Sequence, residues 1–171
     1  MNRIQLATLL SWAGDAGIQG RKRLQKVAFF LQQAGCPLNC QYTLHFFGPY
    51  SRDVADACDE MVVAGLIEEL GNRETGVMQY TYKLKPSTHH YLRQLADGAM
   101  SQFEKIGKEL IQENIWRLEL GSTILFHYRF SGDWKEAMRQ ACLFKKADAS
   151  NPRSIEALEL AKRFVTASTT M

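Results

Sequence analysis

The stretch LHFFGPYSRDV, residues 44–54, contains residue types that nucleophilic catalysis uses. An enzyme built here would have Ser51 as its nucleophile, His45 as the base and Arg52 beside them, and it would also need an oxyanion-binding arrangement. A simpler role explains the serine without either partner. Because Ser51 follows Gly48-Pro49 and precedes a helical pattern, we predict that its hydroxyl caps the first turn of that helix.

Three aromatic side chains, Phe46, Phe47 and Tyr50, flank the Gly-Pro corner. They could form the rim of a pocket or a patch that binds a protein partner. Aromatic clusters in small domains usually fill space in the core, so we predict that all three are buried. The Gly-Pro pair then acts as a hinge that turns a strand into a helix.

Cysteines and histidines raise the question of a metal site. Cys36 and Cys40 are separated by three residues, and His45 and Cys58 follow in sequence. Zinc requires four converging ligands, usually in two closely spaced pairs, and the second pair is missing. The chain also lacks a Gly-rich phosphate loop, a paired-carboxylate motif and a Walker lysine. We therefore expect no cofactor and no enzymatic activity.

Basic residues are concentrated where the second predicted helix begins and in a predicted wing: Arg21, Lys22, Arg23, Lys26 and Arg73. They could bind a DNA backbone, or they could form a solvated face or pair with an acidic helix packed nearby. Residues 51–70 carry six acids and one base, Arg52. Because phosphates would repel that surface, we do not expect the helix after Ser51 to read a major groove.

The elements that must position these residues follow from periodicity. Up to residue 97 the patterns predict helix, helix, a short strand over 41–47 that ends at Gly48-Pro49, helix, a β-hairpin over 66–70 and 77–84, and helix. This order is typical of a winged-helix module. From residue 98 the pattern is helical. The predicted fold class is mainly α (α+β), with a winged-helix-like domain, 1–97, and a helical part, 98–171, packed on it.

The segments GRKRLQKVAFFLQQAG and YTLHFFGPYSRDVADACDEMVVAGLI resemble the bacterial YwgA family. The likeness consists of a basic start before Leu-Gln-Lys, an aromatic strand, Gly-Pro-Tyr-Ser and a helix that ends in Gly-Leu-Ile. WRLELGSTILFHY and IEALELAKRF echo it more weakly. A more distant likeness connects the chain with the Panacea antitoxin domain, in which a Leu-Gln-Lys helix precedes a Tyr-Gly-Pro corner; here Phe47 stands before the glycine.

The YwgA resemblance implies a winged-helix-like fold and no established catalytic residues. The Panacea likeness implies a role in binding a partner. We therefore expect a non-catalytic regulatory or adaptor protein that binds another protein. The alternative is a DNA-binding transcription regulator that docks through helix 21–26 and the wing, as a homodimer to gain enough contact. Residues that either surface would use are Arg21, Lys22, Arg23, Lys26, Phe47, Tyr50, Arg52 and Arg73.

Composition limits the setting in which the protein works. The net charge of +3 is too small to indicate a polyanion partner by itself. No apolar run approaches the roughly 20 residues of a membrane span, and the N-terminal segment lacks a cleavage site for secretion. We expect no membrane association and a cytoplasmic protein whose four cysteines are reduced.

Overall fold

The computed structural model of the chain describes residues 1–72, 78–95 and 98–165, and its fold is mainly α with small antiparallel sheets. The helices of these residues are α1 (Arg3–Trp12), α2 (Arg21–Gln33), α3 (Arg52–Val63), α4 (Pro86–Leu95), α5 (Gly98–Ser101), α6 (Glu104–Gln112), α7 (Ile115–Ser131), α8 (Trp134–Lys145) and α9 (Pro152–Lys162). The strands are β1 (Ile18–Gln19), β2 (Thr43–His45), β3 (Gly48–Tyr50), β4 (Ile67–Asn72) and β5 (Gln79–Leu84).

The predicted β-hairpin is confirmed as the antiparallel pair β4 and β5. On the face of β5 that packs, Tyr82 and Leu84 are buried, while the intervening Lys83 points to the other face and is only partly buried. Tyr80 lies on the same face as Tyr82 but nearer the loop of the hairpin, where it is exposed. The short strand β1 adds to the other edge of β5, which gives the sheet order β1-β5-β4. Arg73 of the predicted wing lies outside the described residues. The winged-helix assignment remains an interpretation of the element order.

The hydrophobic core is continuous between the predicted N-terminal and C-terminal parts. Helix α7 packs against α8 and α9 and also against α2 and β3. The ring of Phe30 in α2 lies 5.0 Å from that of Phe164, centre to centre, near the end of α9. The boundary near residue 97 stays a prediction, but the two parts share their interior.

The C-terminal helices begin at local signals that are visible in the sequence. The helical stretch after residue 103 is two successive helices: the backbone becomes extended at Glu113, which ends α6, and Asn114 begins α7 by accepting a hydrogen bond from the backbone N–H of Trp116. Asp133 caps α8 through the N–H groups of Lys135 and Glu136, and Asn151 caps α9. Short polar side chains before helical patterns produce these starts.

A small residue fixes how closely α6 approaches α1. A Cβ on Gly107 would lie 2.3 Å from Cε3 of the buried Trp12 ring. We expect Gly107→Ala to lower the free energy of unfolding by about 1–3 kcal/mol, because the indole would have to move. Urea unfolding followed by circular dichroism measures this. Gly98→Ala, where a Cβ would meet nothing within 4 Å, is the control, and equal stability of the two variants would contradict the close packing.

Candidate functional site: a cationic cleft beside an aromatic turn

The Gly-Pro corner is a β-hairpin, and the prediction of one strand that ends there was wrong. Strand β2 stops at His45, Phe46 and Phe47 form the turn, and Gly48 opens β3 with its φ at +90°. A Cβ at Gly48 would lie 2.6 Å from Oγ1 of Thr123 in α7. Glycine therefore permits both the left-handed backbone conformation and the close approach of the hairpin to α7.

The prediction that the corner aromatics are buried was also wrong. Phe46 is 76% exposed, Phe47 45% and Tyr50 36%. The physical reason is the hairpin, since its turn residues project away from the core that β3 contacts. The rings pair with each other at the surface: Phe46 and Phe47 are perpendicular at 5.1 Å, and Tyr50 lies 5.4 Å from His45. An exposed aromatic turn of this kind was the alternative interpretation.

Ser51 does not cap α3 with its side chain, contrary to prediction. It occupies the position before the helix, but its hydroxyl donates to Oδ2 of Asp53 at 3.4 Å instead of accepting from a helical N–H. The backbone of Ser51 is held from another helix. Gln25 of α2 donates to the Ser51 carbonyl at 2.8 Å and accepts from the Ser51 N–H at 2.9 Å, all in a buried environment. Gln25 thus connects α2 to the hairpin and to the start of α3.

Lys26, the next residue of α2, is 2% exposed. Its Nζ donates to the carbonyl oxygen of Pro49 at 2.6 Å. Burial lowers the pKa of Lys26 to about 7; the positive charges of Lys145 and Lys22 act in the same direction, and Glu119 opposes them. Near neutral pH both the charged and the neutral form of this amine are therefore populated.

The first turn of α2 contains three cations and no acid, which opposes the positive end of the helix dipole. Acids on other elements offset this arrangement. Arg21 contacts Asp59 at 2.8 Å and Glu69 at 3.1 Å, and its Nε donates to the Tyr82 hydroxyl at 2.7 Å. Burial lowers the pKa of Arg21, but the hydrogen bonds to Tyr82 and Glu69 outweigh it and raise the pKa above its ordinary value.

The other two cations of this turn also have partners within the chain. Lys22 contacts Glu119 of α7 at 2.8 Å, and Lys145 of α8 reaches the same carboxylate at 3.4 Å. Arg23 donates to the carbonyl oxygens of Ile111 and Glu113, where α6 ends. A guanidinium at the negative end of a helix is favourable. The basic run thus stabilises the packing of α2, which leaves less of it free for an outside anion.

These elements enclose an open cleft of about 280 Å³ between α2, the hairpin and α3. Three of its lining side chains are cationic, Arg21, Lys22 and Lys26, and no Asp or Glu of the described ranges lines it. The remaining wall is largely apolar, with Leu24, Phe47, Tyr50, Val54, Ala55 and Cys58. On the solvent side Lys22 Nζ lies 4.8 Å from the centre of the Phe47 ring.

The predicted site residues separate into three groups. Arg21, Lys22, Lys26, Phe47 and Tyr50 come together at the cleft, as does His45. Arg23 faces α6 instead, and Arg52 is exposed on α3 outside the cleft lining. The sequence interpretation missed Gln25 and Glu119. Gln25 stands within the Leu-Gln-Lys motif, which could have drawn attention to it, whereas no local pattern indicates Glu119.

The four cysteines are buried and form no disulfide among the described residues, and burial raises the pKa of Cys58 to about 12. This keeps the cleft thiol protonated at neutral pH. Across residues 1–72, 78–95 and 98–165, no cluster of three or more His, Cys, Asp or Glu could hold a metal ion. None of the helices in these ranges combines the length and apolar character needed to cross a membrane.

Fold and site together define a mainly α (α+β) protein with a cationic cleft beside an exposed aromatic turn. Comparison with curated proteins relates it to "Uncharacterized protein YwgA" of Bacillus subtilis (strain 168), with 31% identity over 121 residues, 70% of this chain and 72% of that protein. The chain therefore belongs to the YwgA family. It matches no protein-family model.

Proposed function

We propose that this protein is a non-catalytic regulatory or adaptor protein that binds a protein partner at the aromatic turn. The observation that carries the proposal is the exposure of Phe46, which is 76% accessible in the turn of a hairpin whose strand β3 packs against α2 and α7. Exposed aromatic side chains on a fixed support are typical anchors of protein interfaces, because they bury large areas with little loss of conformational entropy. The distant Panacea likeness is consistent with such a role.

Exposed apolar side chains also occur on the helix beside the turn. Lys145 Nζ donates to the carbonyl oxygen of Phe46 at 3.3 Å, which places the end of α8 beside the hairpin. Leu143 and Phe144 in that last turn are also exposed. We call the surface formed by Phe46, Phe47, Leu143 and Phe144 the aromatic surface. A partner that covers it would bury apolar groups from both the N-terminal and the C-terminal part of the chain.

The DNA-binding alternative has less support. Arg21, Lys22 and Arg23 already contact acids or carbonyl groups of this chain, and Lys26 is buried. The acidic residues Asp56, Asp59 and Glu60 of α3 are exposed. A phosphate backbone would therefore meet a negative helix and cations whose contacts must first be broken.

Location and assembly complete the proposal. We place the protein in the cytoplasm, where reducing conditions would keep the four buried cysteines in the thiol form. A winged-helix-like module would supply the rigid support for the turn. A homodimer that covers the aromatic surface is a variant of the same proposal, with a second copy as the partner.

Site-specific photo-crosslinking tests the binding surface. With a photoreactive phenylalanine analogue at position 46, we expect one discrete cross-linked protein in the source cells, because the turn would lie in the interface. The analogue at Ile155 of α9, which is also exposed, is the control. Phe46→Ser should abolish co-purification of the same protein at unchanged stability. Equal labelling from both positions, or no discrete product, would count against the proposal.

A titration of labelled duplex DNA separates the two functions. We expect no binding in fluorescence anisotropy even at low salt, where non-specific contacts to phosphates are strongest. Binding that weakens steeply with salt would instead favour the regulator. Charge reversal at Arg52, the exposed base of α3, would then report whether that helix contacts DNA.

A further inference from the structure

The charge on Lys26 lacks a counterion in the described structure. Its one hydrogen bond goes to the neutral carbonyl of Pro49, and within the described ranges no carboxylate forms an ion pair with it. Glu119, the acid that acts on Lys26 electrostatically, is bound by Lys22 and Lys145. A buried ammonium is costly unless it is paired, and a lysine amine has three donor positions.

The surroundings of Lys26 offer space on one side. It lines the cleft of about 280 Å³, and a Cβ at Gly48 would come within 3.5 Å of its Nζ. Glycine at position 48 therefore lets the hairpin backbone pack close to the amine. Next to it the wall consists of apolar groups from α2, α3 and the hairpin, including Leu24, Val54 and Tyr50.

We propose that this cleft binds a small molecule that carries one carboxylate on an apolar body, with the carboxylate accepting a hydrogen bond from Lys26 Nζ. The carboxylate supplies the missing counterion in a lining that has three cations and no acid among its described residues. The apolar body fills the remaining wall. The volume is slightly below the range of about 300–1,000 Å³ that small-molecule sites usually have, which limits the ligand to a small one.

The charge of the ligand follows from the donors. Lys26 is the buried cation of the cleft, whereas Arg21 and Lys22 are half-exposed and already paired. A doubly charged phosphate group would need more donors than one amine to replace its hydration. A single carboxylate matches one ammonium. Phe47 belongs to both the cleft wall and the aromatic surface, but the carboxylate site depends on Lys26 inside the cleft, whereas the partner surface depends on the exposed side chain of Phe46.

Calorimetric titration of the full chain with matched probes tests the proposal. The probes are phenylacetate and hexanoate, their neutral amides phenylacetamide and hexanamide, and sulfate as an anion without an apolar body. We expect both carboxylates to bind at least about tenfold more tightly than their amides, as a charge-assisted hydrogen bond requires. Lys26→Met should remove that preference, and Lys108→Met, which deletes an exposed lysine on α6, should retain it.

A second measurement on the unaltered protein does not depend on a variant. Because Lys26 is largely neutral above its pKa of about 7, carboxylate binding at about pH 8.5 should take up close to one proton. Titrations in two buffers with different ionisation enthalpies measure this number. The charged groups that act on the amine are Glu119 of α7, Lys145 of α8 and, one turn earlier on α2 itself, Lys22.

Several results would overturn the proposal. No saturable binding of either carboxylate would do so, as would amides that bind as tightly as the acids. Sulfate binding equal to that of the carboxylates would indicate a general anion site without an apolar requirement. A carboxylate preference that survives Lys26→Met, or binding without proton uptake, would remove Lys26 from the site. None of these results bears on photo-crosslinking at Phe46, so the two proposals fail separately.

Discussion

Replacing Gly48 by alanine should lower the free energy of unfolding by about 2–5 kcal/mol. A non-glycine residue in the left-handed region costs about 1–2 kcal/mol, and Gly48 has φ +90°. The new Cβ would also lie 2.6 Å from Thr123 Oγ1, and such overpacking typically costs a further 1–3 kcal/mol or so. Urea unfolding with linear extrapolation measures the loss.

Two variants separate backbone strain from the steric overlap. Gly35 has φ +96°, but a Cβ there would meet nothing within 4 Å, so Gly35→Ala should show only the backbone cost of about 1–2 kcal/mol. The double variant Gly48→Ala, Thr123→Ala should recover much of the remaining loss, since the blocking hydroxyl is gone. If Gly48→Ala and Gly35→Ala cost the same, the hairpin does not pack closely on α7.

Lys26→Met should stabilise the protein near pH 6, and the advantage should disappear as the pH rises. Between about 7, the pKa of Lys26 in the folded chain, and its ordinary value of 10.5, the unfolded chain binds a proton that the folded chain does not. The free energy of unfolding of the unaltered protein therefore rises with pH in this window, by about 3–5 kcal/mol in all relative to the variant. Below about pH 7 the difference should be constant.

The measurement is urea unfolding of both proteins at several pH values between about 6 and 10. Groups other than Lys26 titrate in both proteins, so their contributions cancel in the difference. Lys108→Met removes an exposed lysine, so its free energy of unfolding should change with pH in the same way as that of the unaltered protein. A difference between Lys26→Met and the unaltered protein that is independent of pH would mean that the amine is solvated in the folded state.

Much of the fold could be predicted because its signals are local. The β4–β5 hairpin follows from alternating side chains, and the starts of α8 and α9 follow from Asp133 and from the polar residues with Pro152. These features depend on residues within a few positions of each other. The family likeness in Leu-Gln-Lys and Gly-Pro-Tyr-Ser likewise drew attention to the segments that meet at the cleft.

The candidate site depended on distances that no local pattern encodes. Their aromatic type predicted that Phe46 and Phe47 lie in the core, but the hairpin turn exposes them to solvent. The position of Ser51 predicted a helix cap. Instead, the buried amide of Gln25, 26 positions away, binds the Ser51 backbone, and the Ser51 hydroxyl donates to Asp53. Residue type and short-range spacing do not determine which side chains of a turn face water.

The sequence by itself determined a mainly α (α+β) chain, its hairpin, its helix starts and its family, because these follow from short-range periodicity and motifs. Only the tertiary structure decided that Lys26 is buried and that Lys22 pairs with Glu119 across 97 positions. The physical reason is that burial and ion pairing depend on which elements pack against each other. The sequence allowed the basic run to be a solvated surface, whereas in the folded chain Arg21, Lys22 and Lys26 line a cleft.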